Sequence, residues 1–199
     1  MWWPRVPCTA AIQPNTRAVF AETLGNPSLL VLDIAAVSDA AHAHGLPLIV
    51  DNTVPSPFLC NPIAHGADIV VHSATKYLTG DFGFCMRCRM ESLRVFGAAL
   101  SPMSAWQILQ GVETLPLRME RHCSNALKVA AFLQSHPGVS WVNYPGLPDH
   151  PQHDLLLRQM RGASGLLAFG VKGGVSGGAK GGSKGGVEAR VSSSSQRSS

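Results

Sequence analysis

Short runs of mainly apolar residues, each followed at once by polar residues, are the feature that most constrains the fold. Residues 46–50 and 67–71 are two such runs, and residues 17–21 form a third. Runs of this length are typical of strands, and strands that are apolar throughout belong to parallel sheets with helices on both faces. The pattern therefore predicts an α/β fold with a parallel sheet covered on both sides.

Helix-like segments connect and follow these runs. Asp33 has the position of an N-cap for a helix that runs to about His44, and Gly45 ends it. Residues 104–136 form a second helical stretch, in which Pro116 should end one helix and lie in the first turn of the next. The remaining predicted elements are a strand over 139–144, a short helix over 151–160 and a strand over 166–171.

The predicted elements indicate two domains and a tail. We expect residues 1–114 to form part of a large domain and residues 115–172 to form part of a smaller one. Glycine and serine make up 16 of the 27 residues from 173 to 199. Such a segment cannot bury enough apolar area to fold, so we expect it to be a disordered tail.

The basic charge of the chain does not indicate a nucleic-acid partner. Of the formal net charge of +4, residues 173–199 carry +3, because four basic residues there accompany one acidic residue. The rest of the chain has 12 basic and 11 acidic side chains and no basic stripe that would bind phosphates. No apolar run approaches the ~20 residues of a membrane span. Five scattered cysteines favour a reducing compartment, so we expect a cytoplasmic protein without nucleic-acid or membrane partners.

Polar clusters follow the predicted strands at residues 22–26, 51–53 and 73–76. Ligands bind at the carboxyl ends of strands in open α/β sheets, so these clusters define a candidate pocket. Asp51 and, 25 residues later, Lys76 fit pyridoxal 5'-phosphate (PLP), which needs a lysine for a Schiff base and an anion beside its pyridine nitrogen. The hydroxyls of Ser73 and Thr75 can donate to the cofactor phosphate. Taken singly, the same residues also fit an ordinary turn, a cap and a solvated lysine.

Longer strings of the sequence resemble one family. They are residues 22–27 (ETLGNP), 50–53 (VDNT), 72–77 (HSATKY), 110–115 (QGVETL) and 142–147 (VNYPGL). Together they resemble the Cys/Met-metabolism family of PLP-dependent enzymes, over nearly everything from about residue 10 to residue 174. The resemblance implies the aspartate-aminotransferase-like fold (PLP fold type I), with a partial PLP-binding large domain and the start of a small C-terminal α/β domain.

The resemblance also implies a role for each candidate site residue. Lys76 would bind the cofactor as a Schiff base and then move protons at the substrate carbons. Asp51 would pair with the pyridinium nitrogen, and Asn26 would hydrogen-bond the ring hydroxyl. Ser73 and Thr75 would hold the phosphate, and no metal is expected.

The implied reaction is a γ-replacement in sulfur amino-acid biosynthesis. Sulfide or methanethiol would displace acetate from O-acetylhomoserine and give homocysteine or methionine. A cystathionine γ-synthase or γ-lyase type of enzyme stays open, and the non-enzymatic alternative is an inactive remnant. The expected partners are a small amino-acid substrate and further copies of the chain, because the family forms dimers or tetramers.

The sequence departs from the family pattern in three places. Residues 1–9 match nothing in it, residues 81–89 stand where a longer central segment belongs, and the Gly/Ser-rich segment follows residue 174. We therefore expect a chain truncated at both ends with an internal deletion, and little or no turnover by this chain alone. Cys85 and Cys88 have half the spacing of a zinc site, but no second such pair follows, which argues against a metal there.

Overall fold

The computed structural model describes residues 8–80, 101–173 and 189–190. Its first half builds a three-stranded parallel sheet in the order β1-β2-β3. The strands are β1 (Val19–Glu22), β2 (Leu48–Asp51) and β3 (Ile69–Val71). The connecting elements are α1 (Ile34–His42), α2 (Ser56–Leu59) and a 3-10 helix (Pro62–His65), and another 3-10 helix (Cys8–Ala11) precedes β1. The predicted parallel α/β sheet is confirmed.

Asp33 caps α1 as predicted. Its Oδ1 accepts a hydrogen bond from the Ala36 amide at 3.2 Å, which satisfies one of the free N–H groups of the first turn. After the helix, Gly45 adopts a φ of +68°, a left-handed conformation that glycine tolerates best. The helix ends at His42, two residues earlier than predicted, because the chain already turns back towards β2 before Gly45.

The sheet buries one face and exposes the other within the described residues. The register aligns Phe20, Ile49 and Ile69 across the three strands, on the face opposite to the buried Leu48 and Val50. Phe20 is 62% exposed and Ile69 is 48% exposed. The predicted cover on both faces is therefore not observed in the part of the chain that the structure describes, because the described core packs only on the Leu48 and Val50 side.

The second half begins with two helices and ends in an antiparallel sheet. The helices are α3 (Pro102–Glu113) and α4 (Leu115–Ser135), and Pro116 lies in the first turn of α4 as predicted. The sheet has the order β4-β5-β6, with β4 (Val139–Asn143), β5 (Ala168–Val171) and β6 (Ala189–Arg190), and α5 (His153–Gln159) joins β4 to β5. Strand β6 places two residues of the Gly/Ser-rich segment in a sheet. Most of the predicted tail, like Cys85 and Cys88, lies outside the described residues.

One continuous hydrophobic core joins the two halves. It contains Leu24 and Ile34 from the first half and Ala126, Tyr144 and Leu156 from the second. Because both halves share this core, the division of the chain into two domains at residue 114 stays a prediction. None of the described helices is long and apolar enough to cross a membrane.

Candidate active site

The carboxyl ends of the three parallel strands meet at one edge of the sheet. Glu22, Asp51 and Val71 are in register across β1, β2 and β3. The residues that follow each strand therefore come to the same edge, where open α/β sheets bind their ligands. We call this the carboxyl edge, and the three polar clusters singled out in the sequence are neighbours there.

A chain of hydrogen bonds links Asp51 to the hydroxyls of Ser73 and Thr75. Asp51 Oδ1 accepts from the Thr53 amide at 2.9 Å, and Thr53 Oγ1 accepts from the Ser73 amide at 2.7 Å. Ser73 Oγ then lies 2.8 Å from Thr75 Oγ1. Thr53 thus connects two clusters, a role that the sequence analysis did not assign. Its place two residues after Asp51 in the VDNT string was the available signal.

Asn52, next to Asp51, anchors the same edge from inside the protein. Its side chain is fully buried, as is Thr23, whose Oγ1 donates to Asn52 Oδ1 at 2.9 Å. Asn52 Nδ2 donates to the carbonyls of Ser56 and Cys60 at 3.1 and 2.9 Å. One amide therefore connects the end of β1, the end of β2 and α2, and it holds the backbone on which Asp51 stands. The sequence analysis included Asn52 in the polar cluster after the second strand but gave it no role.

Lys76 opens a tight loop, residues 76–80, which we call the Lys76 loop. The Gly80 amide donates to the Lys76 carbonyl at 3.0 Å, and Thr79 Oγ1 donates to the Ala74 carbonyl at 2.8 Å. The Lys76 side chain is exposed. The Gly80–Lys76 bond closes the loop, and the Thr79 hydroxyl attaches it to Ala74.

Asn26 has the fewest contacts with the other candidates. Its amide donates to Glu22 Oε2 at 3.1 Å, and the residue is exposed. In the described part of the chain, neither Asn26 nor the Lys76 amine shares a hydrogen bond with the network that runs from Asp51 to Thr75. The structure joins Asp51 to Ser73 and Thr75 through Thr53, and it relates Asn26 and Lys76 to them by their place at the same edge.

His72 is a further titratable residue at this edge. Its Nδ1 is buried and has no hydrogen-bond partner among the described residues. Burial lowers the pKa of His72, against the opposing effects of the Asp51 charge and of a hydrogen bond with the Asn52 backbone. The ring is therefore biased towards its neutral form close to the Asp51 carboxylate. The sequence analysis included His72 in a string but gave it no role.

The donor set at the carboxyl edge fits PLP. That cofactor carries a phosphate, a ring nitrogen that a nearby carboxylate stabilises as a cation, and an aldehyde that reacts with an amine. The edge offers a pair of hydroxyls at Ser73 and Thr75, a carboxylate at Asp51 and an amine at Lys76. The roles of the individual residues remain predictions.

A cavity in the described part of the chain lies away from this edge, and no metal site accompanies it there. A cavity of about 500 Å³ lies between α2 and α5, where Phe58, Arg158 and Arg161 are among its lining residues. It contains none of the predicted site residues. No group of three or more His, Cys, Asp or Glu side chains that could hold a metal occurs within residues 8–80 and 101–173.

Comparisons with known proteins show the family of this chain. Residues 6–184 match the family described as Cys/Met metabolism PLP-dependent enzyme. An O-acetyl-L-homoserine sulfhydrylase from Leptospira meyeri is 44% identical, with 82% of this chain and 49% of that protein covered. An L-methionine gamma-lyase from Pseudomonas deceptionensis is 47% identical (83% and 45% covered), and a probable cystathionine gamma-synthase from Herpetosiphon aurantiacus is 46% identical (83% and 55% covered).

The coverage of these matches bears on the predicted gaps. The chain spans about half the length of the curated relatives it matches. The alignment with the Leptospira protein runs over 216 positions, more than the 199 residues of this chain. That relative therefore has residues inside the matched region without a counterpart in this chain, and the internal deletion at residues 81–89 stays a prediction. With a family match over most of its residues, the chain belongs to the Cys/Met metabolism family of PLP-dependent enzymes.

Proposed function

We propose that this chain holds PLP at the carboxyl edge and serves γ-replacement or γ-elimination on sulfur-containing amino acids. The observation that carries the proposal is the hydrogen-bond chain from Asp51 through Thr53 to Ser73, with the exposed Lys76 three residues after Ser73. Asp51 ends β2, and the two hydroxyls and Lys76 follow the neighbouring strand β3, in a chain of this family.

The chain's own residues supply the binding groups. Asp51 is the carboxylate that would stand beside the ring nitrogen and keep it protonated, because a nearby opposite charge favours the charged form. Ser73 and Thr75 are the hydroxyls that would donate to the phosphate, in exchange for the bond that they make with each other. Asn26 would donate its side-chain amide to the ring hydroxyl. When bound, PLP supplies a ring that accepts the electrons released at the substrate's α carbon.

Lys76 has two tasks in this proposal. Its Nζ would attach the cofactor, and, as a free amine, it would take a proton from one substrate carbon and return it to another. Both tasks need an accessible amine on a well-defined backbone. Lys76 combines an exposed side chain with a loop that is hydrogen-bonded at its own carbonyl.

The substrate is the finer part of the proposal. We propose O-acetylhomoserine, from which sulfide or methanethiol displaces acetate. The similarity to an O-acetyl-L-homoserine sulfhydrylase supports this choice, and a methionine gamma-lyase type of γ-elimination is the second candidate because such relatives are equally similar. Location in the cytoplasm and assembly into a dimer or tetramer stay predictions.

The test loads the 199-residue chain with PLP and measures one turnover, so that repeated cycling is not needed. O-acetylhomoserine with sulfide is compared with methionine alone, and the K76A variant is the control. Acetate and homocysteine, absent with K76A, support the γ-replacement. 2-Oxobutanoate and methanethiol from methionine, without acetate from O-acetylhomoserine, assign the γ-elimination instead.

The non-enzymatic alternative has a clear signature in the same experiment. A chain that gains no absorption band of lysine-bound PLP, and that gives no more product than K76A, is a remnant without catalysis. That result would overturn the proposed function.

A further inference from the structure

Arg118, on α4, binds the backbone of the Lys76 loop. Its Nη1 donates to the Tyr77 carbonyl at 2.6 Å, and its Nη2 donates to the Leu78 carbonyl at 3.3 Å. The same Nη2 donates to the Gly111 carbonyl at 2.6 Å. The two loop carbonyls belong to the residues directly after Lys76. One guanidinium therefore ties this loop to the end of α3.

The hydrogen bonds of the Arg118 guanidinium all go to uncharged acceptors. Its Nε donates to Thr114 Oγ1 at 3.1 Å, so all three of its guanidinium nitrogens have an acceptor. The side chain is only partly exposed, and burial lowers the pKa of the guanidinium. No carboxylate forms an ion pair with it in the described part of the chain. Hydrogen bonds from a charged donor are stronger than neutral ones, so this set restrains the loop more than backbone bonds alone would.

Close packing against Gly111 restrains the other side of the Lys76 loop. Gly111 is buried, and a Cβ added to it would lie 2.5 Å from Thr79 Cα and still closer to the Leu78 carbonyl oxygen. The backbone of α3 at Gly111 therefore packs directly on the backbone of the Lys76 loop. At the end of the loop, Gly80 has a φ of +65° and faces the Arg118 guanidinium. The loop is held between α3 and Arg118 at its centre and at its last residue.

We propose that Arg118 is the positioning residue of Lys76. By holding the carbonyls of Tyr77 and Leu78, it fixes the backbone on which the Lys76 amine stands and so presents that amine to the carboxyl edge. Arg118 acts through the loop and does not itself touch the cofactor. The inference rests on the proposed function of Lys76, but the geometry of the loop can be tested without PLP.

The experiment uses the 199-residue chain and four variants. R118M removes the donors, and R118K keeps the charge with a single point donor. T114V removes the acceptor of Nε and, with it, the 3.4 Å hydrogen bond from the Thr114 hydroxyl to the Gly111 carbonyl. R121M is the matched control, because Arg121 is an exposed arginine on the same helix. Amide hydrogen exchange of Thr79 and Gly80 is measured without PLP. The yield of borohydride-reduced pyridoxyl adduct on Lys76 is measured with PLP, and thermal unfolding checks the fold.

The expected result is a graded loss. R118M lowers the exchange protection of both amides, and the adduct yield on Lys76, by about tenfold or more. R118K recovers part of each loss, T114V loses about two- to threefold, and R121M equals the unchanged chain. If R118M does not fold, R118K and T114V decide the matter by the same two measurements.

Two outcomes separate this inference from the proposed function. If the unchanged chain forms the adduct and the folded R118 variants form it equally well with full amide protection, Arg118 is not a positioning residue. If the unchanged chain forms no adduct but the R118 variants lose amide protection, the proposed function fails while the hold of Arg118 on the loop is supported.

Discussion

Replacing Asn52 with alanine is the sharpest test of how the carboxyl edge is built. The side chain is fully buried and makes three hydrogen bonds. N52A takes the acceptor from the buried Thr23 hydroxyl and the side-chain donor from the Cys60 carbonyl. The Ser56 carbonyl keeps the Cys60 amide at 3.3 Å. Two buried polar groups are thus deprived of the partner that Asn52 supplies.

The loss of unfolding free energy expected for N52A follows from these two groups. A buried polar group that loses its partner costs about 1–3 kcal/mol. Two of them, with the small cavity left by the amide, give an expected loss of about 3–5 kcal/mol in the free energy of unfolding. That is a large part of the ~5–15 kcal/mol that stabilises a typical domain. Because Asn52 stands between Asp51 and Thr53, the adduct yield on Lys76 should fall as well.

The assay is urea unfolding followed by far-ultraviolet circular dichroism. N61A is the matched control, since Asn61 is exposed and caps the following 3-10 helix without a side-chain hydrogen bond. We expect it to stay within about 0.5 kcal/mol of the unchanged chain. T23V should cost about 1–2 kcal/mol, and the T23V/N52A double variant should cost about 1–2 kcal/mol less than the sum of the single ones. A loss below about 1 kcal/mol for N52A would refute the reasoning.

Three further changes test other parts of the account. D33A removes the acceptor of the Ala36 amide and should lower the free energy of unfolding by about 1 kcal/mol, measured by urea unfolding. The hydrogen bonds that Asp68 accepts from the His42 side chain and a backbone amide lower its pKa. The stability that Asp68 contributes is therefore present above its ordinary pKa and is lost as pH falls below about 4. The difference in urea midpoint between the unchanged chain and D68N should shrink over that range. A difference that stays constant contradicts this. G111A forces a Cβ into the Lys76 loop and should cost about 1–3 kcal/mol and reduce the Lys76 adduct, whereas an unchanged adduct yield would show that the close packing is unimportant.

The parts of the fold that local patterns determine were predictable from the sequence. The apolar runs at residues 46–50 and 67–71 form β2 and β3, because a short apolar run between helices is typical of a buried strand. Asp33 and Pro116 indicated helix starts for local reasons. The Asp33 side chain accepts a hydrogen bond from a backbone amide of the first turn, and Pro116 has no amide hydrogen that the first turn would leave unpaired. The polar clusters after the strands came to one edge because the strands are parallel.

The remaining features depend on contacts between distant residues. Arg118 holds carbonyls about 40 positions away, and nothing in the spacing of the sequence indicates such a bond. Thr53 and Asn52 received no role from the sequence because their partners Ser73 and Thr23 are distant along the chain. The exposed face around Phe20 was not predicted either, since an apolar strand indicates that a cover exists but not which residues provide it.

The most direct test of the central claim is to locate the lysine that takes PLP. The 199-residue chain is incubated with substoichiometric PLP, reduced with borohydride and digested, and the pyridoxyl group is mapped by mass spectrometry. Lys128 and Lys172, which are also exposed, serve as internal references, and K76R is the control. The account predicts that the label lies on Lys76 in the unchanged chain and is lost from that position in K76R. A label spread evenly over Lys76, Lys128 and Lys172, or no label at all, would contradict it.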